Sequence, residues 1–156
     1  MWLSSTAQQA IQAVLYIAAN NGDGPVRVGD VARALDCPRN YLSKTLHGLV
    51  RAGVLRSERG PKGGFRLLDA PEHLTLARII APFEPRGDQP SLIGPRAHAD
   101  FRPGTTLARW TRLAERVDQF FATTTVAGLL CDASRQHADG RDARFPNPRM
   151  PHGPIT

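Results

Sequence analysis

The sequence predicts a mainly α-helical chain with one small β-hairpin: a winged helix-turn-helix domain followed by a long C-terminal helix. Three observations predict it. Amphipathic patterns separated by tight breaks fill the chain up to Gly53. The glycine-rich stretch "RGPKGGFRL", residues 59–67, has strand-like sequence on both sides. Leu107, Trp110, Ala114, Val117 and Phe121 recur at steps of 3, 4, 3 and 4, a heptad-like seam.

The elements follow in order. Ser5 and Gln8 form a capping-box pattern. Ala7, Ala10, Ile11, Val14, Leu15 and Ala18 then recur at helical spacing, so a helix of about fifteen residues is expected. Asn20-Asn21-Gly22-Asp23-Gly24-Pro25 ends it. A short second helix spans roughly residues 29–35, with Val31, Ala32 and Leu35 inward. Asp36-Cys37-Pro38 breaks it, and Pro38 suits the first position of a third helix. That helix shows Tyr41, Leu42, Leu46, Leu49 and Val50 at helical spacing, with Gly53 placed as a C-terminal cap. "VLRSE" reads as a strand, "RGPKGG" as a turn and "FRLL" as the returning strand. Leu74, Leu76, Ile79 and Ile80 suggest a further short helix stopped at Pro82. Residues 82–104 are rich in Pro, Gly and charge and read as a long loop. Thr105 or Thr106 caps a long helix reaching about Thr124, and residues 126–130 form a last apolar patch. The polar remainder, from Asp132 with its prolines after Phe145, is expected to be disordered.

Composition narrows the function. The chain has 156 residues, is 41% hydrophobic and carries a formal net charge of +6, enough for one compact domain with appendages. Arginine supplies nearly all the positive charge; Lys44 and Lys62 are the only lysines. The two cysteines, Cys37 and Cys131, make neither a disulfide scaffold nor a zinc spacing. A reducing cytoplasm is the expected location, since the first nineteen residues lack a signal-peptide pattern and no apolar run approaches the ~18 residues of a membrane span. No paired carboxylates or nucleophile–base pattern points to an enzyme.

"RGPKGGFRL" invites two readings. A P-loop needs a lysine and a hydroxyl after its second glycine, but Phe65 and Arg66 follow Gly63-Gly64 here. A dinucleotide loop runs from strand into helix, whereas this one runs into strand. The β-hairpin reading remains. Helix, short helix, tight turn, helix and glycine-rich hairpin is the order of a winged helix-turn-helix, whose last helix enters the major groove of DNA. Residues 39–66 carry seven cations (Arg39, Lys44, Arg51, Arg56, Arg59, Lys62, Arg66) and one acid, Glu58, an excess equal to that of the whole chain. Charge gathered on the helix and hairpin is the footprint of a nucleic-acid face. A solvated surface of a small α+β module, or a winged-helix module for protein interaction that does not read DNA sequence, is the alternative. Gly29, which weakens the start of the second helix, belongs to that alternative.

"MWLSSTAQQAIQAVLYIA", "PRNYLSKTLHGLVRAGVLRSERGPKGGFRL", "LTLARII" and "TTTVAGLL" resemble the Rrf-two family of bacterial winged helix-turn-helix transcription regulators, of the IscR/NsrR/CymR type, over residues 1–130. The resemblance implies a cytoplasmic homodimer on a palindromic double-stranded DNA operator, most simply a repressor. It implies dimerisation through the long helix, with Leu107, Trp110, Ala114, Val117 and Phe121 in the seam. On DNA, Arg39, Asn40, Tyr41, Ser43 and Lys44 occupy the first turns of the recognition helix. Arg39 is suited to a guanine edge and Tyr41 to a phosphate. Arg51, Arg56, Gly60 and Lys62 complete the basic face, and Arg59 is placed for minor-groove insertion. Gly60, Gly63 and Gly64 let the tip turn at positive φ and approach the backbone closely. His47 is placed either at a phosphate or in solvent.

Several members of that family hold an iron–sulfur cluster on three cysteines in the loop before the long helix. Here "SLIGPRAHADFRPGTTLARW" has Ser91 at the first position, His98 at the second and Gly104 at the third. Serine and glycine do not replace thiolates, and the first-helix candidates for a further ligand, Gln8 and Gln12, are poor donors. No cofactor is expected, and an iron–sulfur cluster least of all. The signal is left to one of four sources: a small molecule or metal held near Ser91 and His98, a redox-active cysteine (Cys131 more than Cys37, which reads as core), a partner protein, or abundance alone. The expected organisation is a DNA-binding domain over residues 1–81, a sensor-type loop over 82–104, a dimerisation helix and apolar segment over 105–130, and a tail over 131–156.

Overall fold

The computed structural model describes residues 3–20, 22, 24–60, 63–84 and 105–138; side chains are described within the last stretch at 109, 112–135. The order is α1 (Ser5–Ala19), α2 (Val28–Ala34), α3 (Arg39–Arg51), β1 (Leu55–Glu58), β2 (Gly64–Leu67), α4 (Leu76–Ile80), α5 (Thr105–Thr123) and α6 (Val126–Ala138). The chain is thus mainly helical with a two-stranded antiparallel hairpin, as expected.

Helix α1 begins where the sequence suggested, but its cap lies one residue earlier. Ser4, not Ser5, accepts from the Ala7 backbone N–H at 3.1 Å. Gln8 instead turns its amide to the Leu3 carbonyl at 3.1 Å. Two adjacent serines are interchangeable in pattern, and only the extended backbone of Ser4 selects the cap. The buried stripe is Ala7, Ala10, Ala13, Val14 and Ile17. Ile11, Leu15 and Ala18 flank it, partly buried, so the face is rotated slightly from the expected one. Alanines at the contact let α3 and α4 approach closely, which the larger residues would prevent.

The turn into α3 uses Asp36 at φ 47°, a left-handed conformation that Asp tolerates better than most residues. Pro38 is the N-cap rather than the first helical residue, and Arg39 starts the helix. Leu42, Thr45, Leu46 and Leu49 are buried. The end of α3 is fixed by Gly53 at φ 69°. The Gly53 and Val54 backbone N–H groups reach the carbonyls of Val50 (3.1 Å) and Leu49 (2.9 Å). This is a Schellman cap, and it turns the chain directly into β1.

Strands β1 and β2 pair Leu55 with Leu67, Arg56 with Arg66, Ser57 with Phe65 and Glu58 with Gly64. Leu55, Phe65 and Leu67 point into the core. Val26 adds a third, single-residue rung: it exchanges backbone hydrogen bonds with Phe65 at 2.9 and 2.8 Å. A Cβ on Gly64 would lie 2.4 Å from the Val26 carbonyl oxygen, so only glycine fits beside that rung.

Helix α4 is held to the C-terminal helices by backbone. Leu76 donates to the Thr124 carbonyl (3.0 Å) and Val126 to the Leu74 carbonyl (2.9 Å), around a Thr75–Thr125 bridge. Arg78 of α4 pairs with Asp69 and donates to the Gly53 carbonyl at 3.0 Å, tying α4 to the end of α3. Two expectations change here. Residues 131–138, expected in the tail, continue α6. Val126 is buried, and Leu129 and Leu130 pack against the core, which anchors this helix at its start. Phe121, expected in an intermolecular seam, packs against the chain's own core. A heptad pattern shows that a face is apolar but not what covers it. Ala114 and Val117 are half-buried, while Leu113 and Phe120 stand 42% and 52% exposed.

Candidate nucleic-acid interface

The solvent face of α3 follows from its core face. With Leu42, Thr45, Leu46 and Leu49 inward, a 3.6-residue period puts Asn40, Lys44, His47 and Arg51 on the opposite side, and all four are exposed. Arg39 is exposed beside them and Ser43 is half-buried. The side chains of Arg39, Lys44, Arg51 and Arg59 form no ion pair with a described residue. Unneutralised arginine and lysine on one surface attract a polyanion over a Debye length, about 8–10 Å.

The wing adjoins this face. His47 stacks obliquely on Phe65, with ring centroids 5.6 Å apart, so helix and hairpin are joined through a side chain expected either at a phosphate or in solvent. Arg56 and Arg59 are exposed, and Arg56 lies 3.6 Å from Glu58 in an exposed pair on the same strand. Gly60 takes φ 107°, the left-handed turn expected of the tip. Gly63 does not; its requirement is space, because a Cβ there would lie 2.3 Å from the Glu58 carbonyl oxygen. Lys62, Ser91 and His98 lie outside the described residues, as do the side chains of Leu107 and Trp110.

The other flank of α3 is braced by α1 and the chain after α4. Tyr41, 40% exposed, places its hydroxyl 2.6 Å from that of Thr6. Its phenol therefore positions the two helices against each other before it meets any ligand. The buried Thr45 hydroxyl donates to the Tyr41 carbonyl at 3.3 Å and to Gln9 at 3.5 Å. Phe83 lies over Gly48, where a Cβ would sit 3.0 Å from its ring, and Glu84 accepts from the Ser4 N–H at 3.4 Å. No signal in the sequence pointed to Gly48 or Phe83, because a notch for a distant ring leaves no periodic trace.

Cys37 is half-buried against the core in the α2–α3 turn. Burial pushes its thiol above the ordinary value, with a smaller lift from the Asp36 charge, against a hydrogen bond from Gln9 that acts the other way. Cys131 is exposed on α6. Among the described residues no group of three or more His, Cys, Asp and Glu is placed to hold a metal, and no helix is long and apolar enough to cross a membrane.

Comparison with known proteins identifies the family and the fold. The family model described as "Rrf2: Iron-dependent Transcriptional regulator" matches residues 3–132. The HTH-type transcriptional regulator IscR of Photobacterium profundum is 30% identical over 144 residues, spanning 90% of this chain and 82% of that protein. Two solved structures share the fold. CymR (YrzC), the global cysteine regulator of B. subtilis, has a TM-score of 0.69 at 23% identity, covering 83% of this chain and 95% of its own. T. potens IscR has a TM-score of 0.68 at 24% identity, covering 85% and 88%.

Proposed function

The chain belongs to the Rrf2 family of DNA-binding transcriptional regulators, and from that premise we propose that it is a homodimeric, sequence-specific repressor of a palindromic operator, working without an iron–sulfur cluster at the loop site. The observation that carries this reading is the continuous basic face of α3 and the wing: Asn40, Lys44, His47 and Arg51 share one side of the helix, and His47 joins it to the hairpin.

In the proposed docking, α3 enters the major groove with Arg39, Asn40, Ser43 and Lys44 toward base edges and phosphates. Arg39 takes a guanine edge, a contact worth about 1–3 kcal/mol of discrimination. Tyr41 sets the angle between α1 and α3 through Thr6 and shares its hydroxyl with a phosphate. Arg51 and Arg56 contact the backbone, and Arg59 at the Gly60 turn reaches the minor groove, with Lys62 of the same tip sequence adding positive charge. Two such domains reading successive half-sites give palindromic preference. The dimer forms along α5, where Leu113 and Phe120 are exposed one heptad apart beside the expected seam of Leu107, Trp110, Ala114 and Val117.

The donor set argues against a cluster of the family type. Such a cluster takes thiolates, and the chain's two cysteines lie in the α2–α3 turn and on α6, not in the loop of residues 82–104. Cys37 is also held toward its neutral form. The regulatory signal then comes from a small molecule or metal held near Ser91 and His98, from a redox-active cysteine, from a partner protein, or from abundance alone. An iron and sulfide assay of the freshly purified protein tests the absence of the cluster: no stoichiometric iron is expected, and a brown protein with matching iron and sulfide contradicts it. Selection of genomic fragments tests the DNA reading. One recurring palindrome is expected, and recovery of fragments without any shared sequence favours the protein-interaction module instead.

A further inference from the structure

Arg56 and Arg66 stand directly opposite each other in the β1–β2 register. Like charges facing across an antiparallel pair destabilise it, so their juxtaposition calls for a partner. The neighbouring pair Leu55–Leu67 points into the core, which puts the two arginines on the outer face of the wing. The ladder shows how near they are. Phe65 spends both backbone hydrogen bonds on Val26, at the far edge of β2. Arg66 therefore turns its backbone groups to β1 and forms a hydrogen-bonded pair with Arg56. Side chains leave such a pair about 5 Å apart, close enough for both guanidinium groups to meet at one small anion.

Arg66 is also incompletely satisfied. Its Nε is buried without a hydrogen-bond partner, the one such buried side-chain atom among the described residues. Arg56 has one oppositely charged partner among the described residues, Glu58, at 3.6 Å from its Nε. Neither arginine makes a side-chain hydrogen bond to a described residue. The pair thus puts two guanidinium groups on one face with a single carboxylate, Glu58, beside Arg56, which leaves a net positive charge.

We infer that Arg56 and Arg66 form a clamp for one DNA backbone phosphate, an anchor distinct from the wing tip. This rests on the DNA-binding reading above. Geometry along the strand supports it: Arg56 is three residues before Arg59, about 10 Å in extended chain. The minor groove is about 7.5 Å deep. With Arg59 inserted in the groove, the facing arginines stand at its phosphate rim. A phosphate there accepts from Arg56 and from the terminal nitrogens of Arg66, whose Nε stays buried, and cancels the repulsion between the two side chains. Glu58 sits against the same site and opposes the anion, so it limits the affinity of the clamp.

The test measures binding of the full chain to a mixed-sequence DNA duplex across a salt series, for the wild type, R56Q, R66Q, the double variant and E58Q. Each phosphate neutralised contributes about 0.9 to the slope of log affinity against log salt. A shared clamp predicts that R66Q weakens binding and lowers the slope by up to about 0.9, that the double variant lowers it by no more than this, and that E58Q tightens binding. A double variant that loses about 1.8 shows two separate contacts and overturns the shared clamp; an unchanged slope in R66Q overturns the site. R66Q removes one of two facing like charges, so without DNA it should melt above the wild type. Melting below it, with lost affinity, assigns Arg66 to folding and also overturns the inference. If the wild type binds no duplex, the DNA reading itself fails; if it binds and the variants match it, only the clamp fails.

Discussion

Leu42, Leu46 and Leu49 of α3 are fully buried, whereas Leu113 and Phe120 of α5 stand 42% and 52% exposed. Both helices are amphipathic, and both present large apolar residues at helical spacing. The difference is in what covers them. Helix α3 lies in a domain that closes its own core with α1, the hairpin and α4. Helix α5 gives Phe121 to that core and leaves Leu113 and Phe120 uncovered. Leu113 and Phe120 thus leave an apolar ridge in solvent, on a helix joined to the winged domain next to the Thr75–Thr125 bridge, and this is the ridge the proposed dimer uses. The winged domain is complete in one chain; the proposed dimer completes α5.

The largest expected effect falls on that ridge. Replacing Leu113 and Phe120 together by Asp removes two large apolar side chains from each protomer of the proposed dimer. Burying one such side chain contributes about 1.5–3 kcal/mol, so sedimentation equilibrium should show monomers while the melting of the winged domain is retained. A dimer that survives the double replacement places the contact elsewhere. The next effect belongs to the winged core: Leu46→Ala should cost about 2–5 kcal/mol in urea unfolding, without altering the protomer count at concentrations where the fold persists. Ser4→Ala tests the cap of α1, with an expected loss of about 1 kcal/mol, visible as a lowered melting temperature. A loss near zero would mean that Ser5 takes over the capping.

The smallest effect concerns Cys37. Its thiol is raised above the ordinary value in the folded state. A group of that kind adds stability below the unfolded thiol value and loses it as pH rises through the folded one. Cys37→Ser should therefore flatten the alkaline limb of the stability profile. Iodoacetamide should modify the exposed Cys131 well before Cys37; the reverse order would contradict the burial of Cys37.

The same contrast explains how far the sequence could be read. The α3 pattern, Gly53 and the hairpin were legible because each has a local physical cause: apolar spacing, an end cap in left-handed backbone, and glycine flanked by strand formers. The basic face was legible too, since Leu42, Leu46 and Leu49 fix by exclusion where Lys44 and Arg51 must lie. The cap at Ser4 was not, because Ser4 and Ser5 differ only in backbone angle. The Val26–Phe65 rung was not, since a single rung has no period. Helix α6 continues past Asp132 despite its polar sequence, because Val126, Leu129 and Leu130 anchor its first turns. The facing of Arg56 and Arg66 depends on register, which the loop between the strands sets and the strand sequences alone leave open.

In the proposed function, α3 and the wing read DNA. Fluorescence anisotropy of the full chain on its selected operator and on a scrambled duplex, each across a salt series and each repeated with Arg59→Ala, tests it most directly. The operator should bind more tightly than the scrambled duplex at every salt concentration, both affinities should fall steeply with salt, and Arg59→Ala should weaken the operator complex. Equal affinities, no salt dependence and an indifferent Arg59→Ala would contradict it.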